Sequence, residues 1–136
     1  MGERESNSSE IVQVLAPGVT PGAACDAARD FATAAKLATG DAARLCILVE
    51  ELVTNVVEHG GSPSAEVSMA LEGRSVRIIL VDAGDSFDPR TAQAVPPEKA
   101  RGGGAGLAIV RAWADVLSYE SGADGNRLEL VVALRG

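Results

Sequence analysis

Three stretches of this chain hold side chains whose types and spacing suit chemistry. In EELVTNVVEHG, Glu50 to Gly60, the polar residues Glu51, Asn55, Glu58 and His59 fall on one flank of a helix at about 100° per residue. Glu51 and Asn55, a carboxylate and a carboxamide one turn apart, can jointly hold a metal, a water and a polar ligand. The alternative is a solvated polar face. In VDAGDSFDP, Val81 to Pro89, Asp82 stands where an apolar run opens into a loop. There its carboxylate can accept a hydrogen bond from an exocyclic amine such as that of adenine, and Gly84 would let a flat ring approach the backbone. A turn cap is the competing role for Asp82. In RGGGAGLAIV, Arg101 to Val110, glycines run into a helix, and successive amides at a helix start make a nest for anions such as phosphate. The alternative, a flexible tether, fits poorly with the abrupt change into an amphipathic helix. Two familiar phosphate loops are excluded. No Lys-Ser or Lys-Thr follows the glycines, and they follow a long loop instead of a strand of a βαβ unit.

The elements that must position these residues can be read from periodicity and breakers. Glu10 to Ala16 is a short strand closed by Pro17-Gly18. Thr20 caps a helix with Pro21 at its first position. That helix runs to about Ala38, with Ala24, Ala27, Phe31 and Ala34 inward, Leu37 at the edge of the stripe, and Thr39-Gly40 as its end. Asp41 then caps a second helix, to about His59, whose apolar face is Leu45, Leu48, Val49, Leu52, Val53 and Val56. Beyond Gly60-Gly61-Ser62-Pro63, Ala65, Val67, Met69 and Leu71 alternate as a strand. Glu72-Gly73-Arg74 turns, and the more fully apolar Ser75 to Val81 is a central strand. The stretch to Gly104, interrupted by Pro89, Pro96 and Pro97, is a functional lid. A helix from Ala105 to Val116 and strands at Leu117 to Glu120 and Arg127 to Leu134, joined by GADGN, complete the chain. The order β-α-α-β-β-lid-α-β-β predicts an α+β fold: a two-layer sandwich with a largely antiparallel sheet and helices on one face. Trp113 and Tyr119 are assigned to its core.

At 136 residues the chain fits one domain, 10–136, behind a polar and disordered tail at 1–9. Aromatics are 3%, so Ala, Val, Leu and Ile must build the core, and a net charge of −7 argues against a duplex-binding surface. Cys25 and Cys46 sit singly on the two predicted helices and read as small buried thiols. One histidine makes a structural zinc site improbable. The N-terminal MGERESNSSE has no apolar core, and no stretch is long enough to span a bilayer, which points to a cytoplasmic protein with no membrane partner.

In this order the motifs are specific: ExxxN on a helix, DxG…FDP after a strand, a Gly-rich lid, then GxGL opening a helix. Over residues 10 to 134 the chain resembles the GHKL, or Bergerat-fold, ATPase superfamily. More closely it looks like the small stand-alone serine kinases that act as bacterial anti-sigma factors. ELVTNVVEHG looks like the N-box, VDAGDSFDP the first glycine box (with Ser86 where many members have glycine) and GGGAGLAIV the second. The GN-x-L-x-L run from Gly125 to Leu130 is typical of the small group. The resemblance implies Glu51 as the base toward an attacking hydroxyl and Asn55 as a ligand of Mg2+. It implies adenine recognition by Asp82 with support from Gly84, and phosphate contacts from Gly102, Gly104, Gly106 and Leu107. The implied activity is that of an ATP-dependent protein serine/threonine kinase. Its implied partners are a sigma factor and a small anti-anti-sigma antagonist protein, and a homodimer is compatible with it. Two other readings stand beside it: a non-catalytic, ATP-gated binding module, and the catalytic domain of a histidine kinase, against which the lone His59 lies inside the N-box itself.

Overall fold

The computed structural model describes residues 11–14, 18, 20–85, 88–90 and 103–136, without the side chains of His59 and of residues 103–107. The expected tail at 1–9 and most of the expected lid lie outside the described residues. In chain order the elements are β1 (Val12–Val14), α1 (Pro21–Ala34), α2 (Thr39–Thr54), a π-helical turn (Asn55–His59), β2 (Ala65–Glu72), β3 (Ser75–Asp82), α3 (Gly103–Trp113), β4 (Asp115–Gly122) and β5 (Gly125–Ala133). The strands form a five-stranded sheet in the order β1-β2-β3-β5-β4, with every pairing antiparallel. The order of elements, the central place of β3 and the α+β sandwich all follow the sequence.

Alternation sorts the sheet into two faces. Rows such as Val67–Leu80–Leu128–Tyr119 and Met69–Ile78–Leu130–Val116 line up across the inner face by register. Against them pack Ala24, Ala28 and Phe31 of α1, Leu45, Leu48, Val49, Leu52 and Val53 of α2, and Val110 of α3, all buried. The predicted apolar stripe of α2 is thus buried from Leu45 through Val56. On the outer face Arg77 lies between Glu72 and Glu129, and hydrogen bonds to this guanidinium hold both carboxyls below their usual range.

Several local expectations are corrected. α1 ends at Ala34, before the Thr39-Gly40 stop. The Leu37 amide bonds the Ala32 carbonyl at 2.9 Å and the Lys36 amide the Thr33 carbonyl at 3.1 Å, while Lys36 takes φ +59°. This is a left-handed helix ending made by lysine in the place glycine usually holds, so no glycine advertised it. Ala34 is exposed, and Ala28 and Ala32 are buried in its stead. Asp41 is not the cap of α2, where Ala38 stands without a side-chain bond. Its carboxylate instead accepts the Arg135 and Gly136 amides, each at 3.0 Å, and pairs with Arg44, fastening the end of the described chain to the helix. Trp113 is half-buried outside the core cluster, beside Arg44, Arg111 and Arg135. Tyr119 is half-buried against the core. Cys25 and Cys46 are not separate thiols. The small residues of α1 let α2 approach until the two Cα atoms are 4.6 Å apart, and a disulfide joins them.

Candidate functional site

At one end of the inner face the apolar rows give way to a polar one. Register sets Ala65 opposite Asp82, Asp82 opposite Asn126, and Asn126 opposite Ser121. These residues are close because the strands are paired, not because the sequence brings them near. Asp82 is 7% exposed and Asn126 4% exposed, so their polar atoms need partners within the protein. The Asn126 amide donates to Asp82 Oδ1 and to the Gly84 carbonyl, each at 2.9 Å. Ser121 Oγ donates to Asn126 Oδ1 at 2.6 Å. The Gly84 amide donates to the same Asp82 oxygen at 2.8 Å. The turn cap weighed for Asp82 is therefore realised, and it engages one carboxylate oxygen only. The other oxygen has no hydrogen-bond donor among the described residues, and Asp82 lines a narrow cleft.

The cleft is narrow, and its walls are Leu52, Asn55 and Val56 from the helix, Leu80 and Leu128 from the sheet, Tyr119 and Pro89. Mostly apolar walls with one carboxylate among them suit a planar ring that carries a donor on its edge. The Pro89 carbonyl over this cleft accepts a hydrogen bond from Arg111 Nε of α3 at 2.7 Å.

The helix changes its winding beside the cleft. Thr54 Oγ1 bonds back to the Glu50 carbonyl at 2.8 Å. From Asn55 the chain widens into a π turn, closed by the Gly60 amide on the Asn55 carbonyl at 2.8 Å. Such a turn adds a residue to the helix and rotates the side chains beyond it. Asn55, the first residue of the turn, still has its amide on the α-helical ladder, bonded to the Glu51 carbonyl; 4% exposed, it lines the same cleft as Asp82. Glu51 lies one turn earlier, with one carboxylate oxygen shut off from solvent. Glu58 is exposed, as a solvated surface residue would be.

Two loops are stitched together beneath this site. The Asp85 amide bonds the Gly60 carbonyl at 2.9 Å, and the Ala83 amide bonds Ser62 Oγ at 3.0 Å. Gly84 is wedged between them. A Cβ there would lie 2.6 Å from the Gly60 carbonyl oxygen and 2.9 Å from the Ser62 amide nitrogen. The protein's own backbone therefore requires glycine at 84, apart from any ring. Sequence reasoning gave no role to Ser62 or Asn126. The GN-x-L-x-L run was the signal for Asn126, but its chemistry depends on strand register.

Of the glycine-run residues, Gly104, Gly106 and Leu107 lie in the first turns of α3, which begins at Gly103, earlier than the predicted Ala105. Gly102 lies outside the described residues. Among the described residues no group of three or more His, Cys, Asp or Glu is gathered as a metal cluster would be. No helix among them is long and apolar enough to cross a membrane.

The family described as "Histidine kinase-like ATPase domain" matches residues 19–132, nearly the whole chain. The chain belongs to that family. The N-box helix, the aspartate ending β3 and the glycine-led α3 are thus parts of a GHKL-type ATPase domain. A search of curated proteins returns no significant match. Similar solved structures include the histidine kinase domain from the Erythrobacter litoralis EL346 blue-light activated histidine kinase, at 22% identity and TM-score 0.45 over 69% of this chain and 45% of that one. Another is the Erythrobacter litoralis EL346 blue-light activated histidine kinase, at 20% identity and TM-score 0.49 over 72% of this chain and 32% of that one. This ATPase domain spans less than half the length of either.

Proposed function

We propose that this domain binds ATP with magnesium in the cleft between α2 and the sheet and acts as a cytoplasmic protein serine kinase. In this reading it is an anti-sigma factor that phosphorylates a small antagonist protein. The observation that carries the nucleotide half is the buried Asp82 carboxylate lining a mostly apolar cleft, with one oxygen held by Asn126 and Gly84. The held oxygen fixes the orientation of the other, which is left to accept from a ring amine. Both partner identities rest on the resemblance of the ordered motifs to the small anti-sigma kinases.

The residues present fit an adenine nucleotide. Leu52, Val56, Leu80, Leu128 and Tyr119 would flank the base, and the amides opening α3 suit phosphate oxygens. Asn55 would hold magnesium through its side-chain oxygen. With no carboxylate cluster around it among the described residues, the remaining ligands would be phosphate oxygens and water, as this cation prefers. The bound cation would neutralise charge on the phosphates. The protein's own contribution is positioning. Glu51, one helical turn before Asn55, would align an incoming serine hydroxyl and take its proton.

The experiment is an ATP titration together with labelled-phosphate transfer to the proteins that co-purify with the chain. Glu51→Gln keeps the shape of the side chain and removes its basicity. Transfer should fall by ~10²–10⁴, the usual share of general base catalysis, while ATP affinity stays nearly constant. Wild-type protein that exchanges partners with ATP but transfers no phosphate would replace the kinase with a passive, ATP-gated binding module.

A further inference from the structure

Away from the cleft, α1 and α2 are joined by a chemically reactive feature that the proposed function does not use. Cys25 and Cys46 are bridged, and one arm of Arg29 lies 3.6 Å from Cys25 Sγ and 3.7 Å from Cys46 Sγ. The other arm is held by Asp26 at 3.0 Å, which fixes the direction of the fork. The Arg29 side chain is 63% exposed, so this cation sits at the surface, over the bond and not beneath it. Cys46 is 8% exposed, and Cys25 is only partly buried. An arginine beside a thiol favours its thiolate, the form that attacks disulfides. A cysteine pair that served packing alone would have no need of a guanidinium aimed at both sulfurs.

We propose that Cys25 and Cys46 form a reversible dithiol–disulfide site that exchanges with low-molecular-weight disulfides and thiols, Cys25 reacting first and Cys46 resolving. In the oxidising direction the Cys25 thiolate attacks a sulfur of a small disulfide RSSR. A Cys25–S–SR bond forms, the S–S bond of RSSR breaks, and RS⁻ leaves to take up a proton as RSH. The Cys46 thiolate then attacks Cys25 Sγ, closing the protein disulfide and expelling the second RS⁻. The protein loses two electrons and two protons, and RSSR becomes two RSH. Excess RSH runs the same steps backwards. The closed bond ties α1 to the helix that carries Glu51 and Asn55, so the site reports redox state on the element that builds the cleft.

The test uses the full chain, reduced and then equilibrated in buffers of glutathione and its disulfide. Intact mass would show loss of two hydrogens, about 2 Da, as the buffer becomes oxidising, with an unchanged circular dichroism spectrum. Added excess glutathione should restore the dithiol without denaturant. A dithiol that stays open in oxidised glutathione overturns the proposal. So does a bond that glutathione opens only after unfolding, which would be a fixed staple. In Cys46→Ala, the mixed disulfide should accumulate on Cys25. Adding Arg29→Ala should slow its formation at neutral pH by at least about threefold, a difference that vanishes in urea. Equal native rates with and without Arg29 would refute the arginine's part.

Discussion

Asn126→Ala should damage both the fold and the site, by an amount that can be worked from its contacts. The wild-type amide nitrogen gives one hydrogen to Asp82 Oδ1 and another to the Gly84 carbonyl, and its oxygen accepts from Ser121. The bond to the Asp82 carboxylate is charge-assisted and contributes about 1.5–3 kcal/mol; the two neutral bonds contribute about 0.5–1.5 kcal/mol each. Ser121 is at the margin of the sheet and can turn to water, so its loss is largely recovered. Asp82 and Gly84 sit deeper and recover less. The expected destabilisation is therefore about 2–4 kcal/mol, a fall in Tm of roughly 6–20 °C for a domain of this size. Ser121→Ala should cost under about 1.5 kcal/mol. Urea titration of Asp82→Ala, Asn126→Ala and the double variant would measure the direct term, expected at about 1–3 kcal/mol of coupling. If Asp82 reads the base as proposed, ATP affinity of Asn126→Ala should fall by about tenfold, because its carboxylate would lose its orientation. A destabilisation below about 0.5 kcal/mol with no coupling would show that the polar row does not hold Asp82 in place.

Three further outcomes are expected. Gly84→Ala drives a methyl group into the Gly60–Ser62 backbone and should cost about 2–4 kcal/mol in urea denaturation even without nucleotide; a loss below about 1 kcal/mol would mean that the two loops yield. Hydrogen bonds from the Arg135 and Gly136 amides, with Arg44 adding its charge, hold the Asp41 carboxyl below its ordinary range against the cost of burial. Its folded pKa is therefore below the unfolded one, so its contribution is present above about pH 4 and lost as pH falls through the folded pKa. Asp41→Asn should accordingly be less stable than wild type at pH 7, by about 1–2 kcal/mol, with the gap closing in more acidic urea titrations. Asp82→Asn should weaken ATP binding by ~1–3 kcal/mol, and wild type should bind GTP worse, since its base presents a carbonyl where adenine has an amine. Equal calorimetric affinity for the two nucleotides would remove Asp82 as the base reader.

The sequence by itself determined the elements and their layer. The 3.6-residue stripe from Leu45 to Val56 and the alternation from Ala65 to Leu71 are local patterns, each tied to one face of one element, so burial followed them. Candidate chemistry was legible wherever it sat on a single element: Glu51 and Asn55 one turn apart, and Asp82 at the end of the central strand. Tertiary structure decided everything that depends on which atoms meet across elements. Strand register put Asn126 and Ser121 behind Asp82, and the packing of α2 on the sheet set Asn55 beside Asp82 in one cleft. The close approach of the Gly60–Ser62 loop is by itself enough to require glycine at 84. Asp41 looked like a cap because helix starts favour aspartate, yet its partners are amides more than ninety residues away. The two cysteines looked independent because 21 residues separate them, and only the close approach that small side chains allow between α1 and α2 joins them. Periodicity encodes which face is buried; it carries no record of the partner on the other side.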